Sequence, residues 1–197
     1  MRSKILVYIP SKFFDSDHLA YQFKQIKELG FDQIVLDADL VLQSNDLEKF
    51  LLFEKLILSA IYFEDFLDLN KSMLLMESAH SLNCPFILSD NIPAEESEIK
   101  CLKKMEESGL TILKKIDKQY FKKSETEPLI IQNPLAYSEK PLQSTILVER
   151  EAESKIILEN KEKNVFFMIA PDHSLDRSNY LRHCKDILNR YFFLGLR

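Results

Sequence analysis

Glycine is scarce in this sequence of 197 residues, which contains only Gly30, Gly109 and Gly195. Phosphate-binding loops of the G-x-G-x-x-G and G-x-x-x-x-G-K-[ST] types need several closely spaced glycines, because their backbone must approach the phosphate closely. The sequence therefore excludes the usual dinucleotide-binding and P-loop classes.

Cysteine is equally scarce, and Cys84, Cys101 and Cys184 are odd in number and show no C-x-x-C spacing. The four histidines do not complete a zinc-binding set with them. We therefore predict free thiols in a reducing cytoplasm, and neither a metal site nor a cofactor.

Long apolar runs and an excess of positive charge are also missing. No stretch reaches the ~18 apolar residues of a membrane span, and the apolar run within residues 1–10 is too short for a signal peptide. The formal net charge of -5 argues against a dedicated nucleic-acid binder. We expect a cytoplasmic protein that binds neither membranes nor nucleic acids.

What is present, over residues 1–116, is an alternation of short apolar runs with amphipathic segments. The runs suit buried parallel strands, and the segments between them suit helices with capping residues at their starts and Gly30 or Gly109 at their ends. This pattern predicts a flavodoxin- or Rossmann-like α/β three-layer sandwich with a five-stranded, mainly parallel sheet. The five predicted strands are "KILVYIP", "FDQIVLDADL", "LILSAIYF", "CPFILSD" and "LTILKKI".

Residues 117–197 follow this pattern less closely. A proline-containing linker precedes a helix-like segment, the predicted strand "NVFFMIAP" and a predicted helix over residues 174–193. We predict a C-terminal α+β extension or small subdomain, with a boundary between residues 116 and 117. A subunit interface is one role open to it.

Ligands of open parallel sheets bind beyond the carboxyl ends of the strands. Several polar and aromatic side chains are predicted to lie at or near those ends. They are Tyr8, Ser11, Phe13 and Phe14 after the first strand, Asp37 and Asp39 after the second, and Asp65, Asp68, Ser72 and Glu77 after the third.

The stretches "VYIPSKFF" and "ESAHSLNCPFI", in this order, resemble the nucleoside 2-deoxyribosyltransferase-like family over about residues 4–90. Tyr8 matches the family's tyrosine, and Phe13 and Phe14 match its aromatic pair. Glu77 matches the glutamate that acts as the family's nucleophile.

The resemblance implies cleavage or exchange of the N-glycosidic bond of a nucleoside or nucleotide. Glu77 would attack C1′ of the sugar, and Tyr8 would orient it. Asp65 or Asp68 would be the acid. Phe13 and Phe14 would stack on the base, and Ser11, Asp37 and Ser72 would complete the substrate site. The resemblance implies no cofactor, and it implies a homo-oligomer, since family members often build their sites at a dimer interface.

Two alternatives stay open. Lys71 stands where the transferases carry an aspartate, so the chain could be a catalytically inactive nucleotide-binding or structural protein of the same fold. The stretch "IVLDADL" also resembles the Asp-x-Asp segment of sugar-nucleotide glycosyltransferases, in which Asp37 and Asp39 would bind a divalent cation. Independently of any family, Glu77 suits the solvated face of an amphipathic helix.

Overall fold

The computed structural model describes residues 5–63, 69–89, 96–114, 167–169, 176–193 and 195. Six parallel strands form one sheet. They are β1 (Ile5–Ile9), β2 (Gln33–Asp37), β3 (Ile57–Phe63), β4 (Phe86–Ser89), β5 (Thr111–Lys114) and β6 (Phe167–Ile169). Each of the five strands predicted within residues 1–116 is confirmed, as is the short strand in "NVFFMIAP".

Helices connect the strands in the predicted βα manner. A 3-10 turn (Ser16–His18) leads into the first of them, and Gly30, at φ 103°, follows the end of that helix. The helices are α1 (Leu19–Glu28), α2 (Ala38–Gln43), α3 (Leu47–Glu54), α4 (Leu69–Ser81), α5 (Glu96–Glu107) and α6 (Arg177–Phe193). None of these described helices is both long enough and apolar enough to cross a membrane.

Helix α2 was not predicted, because the second strand was predicted to continue to residue 40. The strand instead ends at Asp37, whose side chain accepts a hydrogen bond from the backbone N–H of Asp39 at 3.0 Å. This is the N-cap arrangement that starts a helix. The same carboxylate therefore ends the strand and begins α2.

The strands are arranged in the order β5-β4-β3-β2-β1-β6. A flavodoxin- or Rossmann-like sheet reverses its strand order at a switch point, and helices then cover both faces. Here the first five strands follow one another without reversal. Because βα crossovers are right-handed, this order carries the connecting helices to one face. The predicted three-layer sandwich is therefore wrong, and the sheet is wound in a single direction.

Packing on the two faces of the described sheet agrees with this winding. The outer face carries the larger cluster, in which Ile34 and Leu36 of β2 pack with helix residues such as Phe23 and Leu75. The inner face carries a smaller cluster made only of strand residues. Its buried members are Leu6, Val35, Ala60, Leu88 and Met168, and the half-buried side chains packed on them are Tyr8, Tyr62 and Phe86.

The last third of the chain contributes to the same sheet. Strand β6 pairs in parallel with β1, with Val7 opposite Ile169 at the end of the ladder. Tyr180 and Cys184 of α6 are fully buried in the outer cluster. The predicted domain boundary between residues 116 and 117 lies outside the described residues and stays a prediction.

Candidate functional site

Four side chains meet where the inner face of the sheet reaches the carboxyl ends of its strands. Tyr8, Asp37 and Tyr62 come from the ends of β1, β2 and β3, and Ser11 comes from the loop after β1. In singly wound βα folds this end of the sheet is where ligand sites are built. We call these four residues the carboxyl-end cluster.

Asp37 is the centre of the cluster. Its Oδ2 accepts hydrogen bonds from the Tyr8 hydroxyl at 3.3 Å, from the Ser11 hydroxyl at 3.0 Å and from the Ser11 backbone N–H at 3.3 Å. Its Oδ1 accepts the capping bond from Asp39. One half-buried carboxylate thus fixes the end of β1, the following loop and the start of α2 relative to one another.

The two tyrosines form the aromatic part of the cluster. The ring centroids of Tyr8 and Tyr62 are 4.9 Å apart, and the rings are inclined at 66°, which is an edge-to-face contact. Tyr62 also lies directly opposite Asp37 in the ladder between β2 and β3. The sequence prediction missed Tyr62. Its alternation with Ala60 near the end of β3 was the available signal.

Phe13 and Phe14, which were predicted to stack on a base, pack instead against α6. The Phe13 ring lies 5.6 Å from the ring of Tyr180, and the Arg177 guanidinium lies 5.1 Å above the Phe14 ring. Phe14 is only 2% exposed. The predicted stacking role is wrong because these rings contribute to the core beneath the loop.

Glu77 lies on the exposed face of α4, as does His80. That helix packs against the outer cluster through Leu75 and Ala79, whereas Tyr8 lies on the inner face. The expectation that Tyr8 and Glu77 face one cleft is therefore wrong.

Tyr8 was predicted to orient Glu77, but its hydroxyl donates to Asp37. Ser72 is buried in α4 with 6% exposure. Asp65 and Asp68 lie outside the described residues.

The loop after β1 also carries a hydrogen-bonded pair, Asp15 and His18. The His18 Nδ1 atom lies 2.8 Å from Asp15 Oδ1, and the same oxygen accepts the His18 backbone N–H at 2.9 Å. These bonds, the side-chain bond first, lower the pKa of Asp15 below its ordinary value. The pair is exposed to solvent and stabilises the turn before α1.

In one of the alternative hypotheses, Asp37 and Asp39 bind a divalent cation at this end of the sheet. Within the described ranges, no three His, Cys, Asp or Glu side chains are grouped as ligands of one ion. The Asp37 oxygens accept protein hydrogen bonds, and Asp39 contributes its backbone N–H to that carboxylate. Asp37 and Asp39 are thus arranged as a helix cap.

Comparison with known proteins gives structural similarity only. No protein-family model and no curated protein sequence matches the chain. A xylose isomerase domain containing protein from Salmonella typhimurium LT2 superposes with a TM-score of 0.59 at 14% identity, covering 100% of both chains. A xylose isomerase domain protein from Planctomyces limnophilus gives 0.54 at 9% identity, covering 100% of this chain and 98% of that one.

A third solved structure is a fusion of a xylose isomerase-like TIM barrel with a 4-hydroxyphenylpyruvate dioxygenase. It gives a TM-score of 0.54 at 12% identity and matches 93% of this chain, which spans only 34% of the fusion protein. At such identities the likeness shows the fold alone. That fold is the TIM barrel, in agreement with the one-way strand order.

These similarities correct the sequence-based hypotheses. The resemblance to nucleoside 2-deoxyribosyltransferases is wrong, since the solved structures that match are TIM barrels. The predicted cleavage or exchange of an N-glycosidic bond through Glu77 is wrong with it. The two alternatives, an inactive protein of the transferase fold and a sugar-nucleotide glycosyltransferase using Asp37 and Asp39, are also without support.

Proposed function

We propose that the carboxyl-end cluster binds an unphosphorylated sugar or a similar polyol. The observation that carries this proposal is the Asp37 carboxylate surrounded by the hydroxyls of Tyr8 and Ser11 at the end of the inner face. Ligand sites of TIM barrels lie at this end of the strands.

The hydrogen-bonding character of the cluster favours ligands that carry many donors. The Tyr8 and Ser11 hydroxyls give their protons to Asp37, so the oxygen of the exposed Ser11 can accept a hydrogen bond from a ligand. Bonds in this network are strengthened by the charge of the carboxylate. The hydroxyl groups of a sugar are donors of the required kind.

The tyrosine rings supply the apolar part of the proposed site. Tyr62 and Tyr8 are half-buried and lie in contact with each other. Their amphipathic rings can cover the C–H surface of a sugar while their hydroxyls stay polar. The xylose isomerase domain proteins among the similar structures support a sugar rather than another polyol-like ligand.

The negative charge of Asp37 disfavours an anionic ligand. A phosphate placed next to this carboxylate would be repelled, and the repulsion grows as water is excluded. The proposal is therefore restricted to unphosphorylated ligands. We also propose that the protein is located in the cytoplasm, because Cys84, Cys101 and Cys184 are free thiols that a reducing compartment would preserve.

The test is calorimetric titration of the purified protein with D-xylose, D-glucose and xylitol, and with D-glucose 6-phosphate as the charged comparison. We expect at least one unphosphorylated compound to bind and the phosphate to bind more weakly. Asp37→Asn should weaken binding by about tenfold or more, since it removes the charge that strengthens the network.

Asp39→Asn is the matched control. It removes a neighbouring exposed carboxylate and keeps the backbone N–H through which Asp39 bonds to Asp37. It should bind like the unaltered protein. Failure of all three unphosphorylated compounds to bind, or equal binding by Asp37→Asn, would show that the proposal is wrong.

A further inference from the structure

Helix α6 packs on the outer face of the sheet and contacts the backbone of a residue of the carboxyl-end cluster. Strand β6 spans Phe167–Ile169, and the last described pair of its ladder with β1 is Val7 and Ile169. Tyr8 is the next residue of β1, and its backbone carbonyl oxygen is within reach of a donor on α6.

Tyr180 supplies that donor. Its hydroxyl lies 2.5 Å from the carbonyl oxygen of Tyr8 and 3.3 Å from that of Ile169. A phenol has one proton, so the shorter contact takes it. The hydroxyl thus joins α6 to the ends of both β1 and β6.

We infer that Tyr180 is a positioning residue of the carboxyl-end cluster, holding the backbone of Tyr8 so that the Tyr8 hydroxyl meets Asp37. This inference rests on the proposed function for its effect on ligand binding. Its structural part, the dependence of the Tyr8 side chain on the Tyr180 hydroxyl, stands without any ligand.

The surroundings of Tyr180 suit a fixed donor. Its side chain has no exposed surface, and burial raises the pKa of its hydroxyl well above the ordinary value. The group therefore keeps its proton over the whole range in which the folded protein is studied. A donor that is always protonated and cannot turn to water gives the Tyr8 carbonyl a permanent partner.

The Phe13 ring also packs on the ring of Tyr180. The substitution Tyr180→Phe removes only the hydroxyl and retains this ring contact. It therefore separates the hydrogen bond to Tyr8 from the packing of α6.

The first measurement needs no ligand. The protein has seven tyrosines, so labelling with 3-fluorotyrosine gives few fluorine resonances, and the Tyr8→Phe variant identifies that of Tyr8. We expect Tyr180→Phe to shift or split the Tyr8 resonance. Ile187→Val, a buried change on the same helix, should leave it in place.

The second measurement is the affinity for whichever unphosphorylated compound of the titration panel binds. We expect Tyr180→Phe to weaken it by about five- to tenfold, the usual effect of one lost hydrogen bond. In the Tyr8→Phe background the same change should weaken binding less than about twofold, because residues acting through one group are not additive. Ile187→Val should bind normally.

An unchanged Tyr8 resonance in Tyr180→Phe would overturn the inference, as would a loss of affinity that is equally large in the Tyr8→Phe background. If the unaltered protein binds none of the sugars, the proposed function fails, and the fluorine spectrum alone decides on Tyr180. If a sugar binds and Tyr180→Phe changes neither measurement, only the inference fails.

Discussion

Gln33 and Asp37 lie on the same face of β2, four residues apart, yet their surroundings differ. Gln33 is 3% exposed, and its Oε1 atom accepts a hydrogen bond of 2.8 Å from the hydroxyl of Ser59, which is 7% exposed. Asp37 is half-buried and is bonded by the exposed Ser11. The first pair lies near the start of the strands and the second at their carboxyl ends.

The difference shows that burial determines whether a polar group serves stability or ligand binding. A buried pair such as Gln33 and Ser59 needs its hydrogen bonds inside the protein, and it cannot exchange them for bonds with a ligand without cost. It lies where the register between β2 and β3 shifts, with Ile34 opposite Leu58 and Val35 opposite Ala60. The exposed network around Asp37 can exchange its partners. Stability should therefore depend on the buried groups and binding on the exposed ones.

The largest expected effect is a loss of folding stability at alkaline pH, and it comes from buried thiols. Burial raises the pKa of the Cys84 and Cys184 thiols from 9.0 to about 12 each. The folded protein then holds two protons that the unfolded chain releases above pH 9. Stability from the neutral thiols is complete below pH 9 and is lost as the pH rises towards 12. The loss is about 1.4 kcal/mol per pH unit for each thiol, or about 4 kcal/mol at pH 10.5.

Urea unfolding between pH 8 and pH 10.5 measures this loss. The Cys84→Ala/Cys184→Ala double variant should show a clearly shallower fall over the same range. Ile187→Val, which is destabilised without loss of a thiol, should fall as steeply as the unaltered protein. Equal slopes for all three proteins would contradict the role of the thiols.

Breaking the Gln33 and Ser59 pair should have the next largest effect. Gln33→Met keeps a similar volume and leaves the buried Ser59 hydroxyl without this partner, which should cost about 1–3 kcal/mol of unfolding free energy. Gln33→Met/Ser59→Ala should regain the part of the loss that comes from the unpaired Ser59 hydroxyl, because the second change removes that hydroxyl. Chemical denaturation of the three proteins gives these values.

Asp37→Asn, at the carboxyl end of β2, should destabilise the fold less than Gln33→Met does. An Asn side chain still accepts the capping bond from Asp39, so this change should cost less than about 1 kcal/mol. If Asp37→Asn destabilises the fold more than Gln33→Met does, the division between a structural and a binding polar pair is wrong.

The smallest effect is expected from the exposed Asp15. Since His18 lowers its pKa, the carboxylate contributes stability above an ordinary pKa of 3.8, and that contribution is lost as the pH falls through the lowered value. Asp15→Asn keeps a capping side chain and removes the charge. At pH 7 its melting temperature should be slightly below that of the unaltered protein. At pH 3 the difference should shrink. A difference that is equal at both values would contradict the role of the charge.

Much of the fold was predictable because buried parallel strands are short apolar runs and their helices are amphipathic. The element that escaped prediction, α2, lies in the apolar stretch after Asp37, where periodicity cannot distinguish a strand from a helix. The strand order escaped as well. It depends on pairings between distant segments, such as β1 with β6, that leave no local signal.

The candidate site was predictable only in part. Tyr8, Ser11 and Asp37 were placed near the ends of strands, and the structure brings them together. Their role stays a proposal. Glu77 was misleading because an ordered series of residue types resembled a known family, while its position on an exposed helix face is ordinary. Tyr62 was missed because β3 is apolar on both faces, so that its alternation with Ala60 was only a weak signal of the face on which it lies.

The sequence by itself determined the alternation of the five predicted strands with helices and the free state of the thiols. These depend on local backbone preferences and on spacing along the chain. Only the tertiary structure decided that the sheet winds in one direction, that Gln33 is enclosed while Asp37 is open, and that Tyr180 meets the carbonyl of Tyr8. Each of these depends on which distant segments pack together, because burial and hydrogen bonding between segments are properties of the whole folded chain.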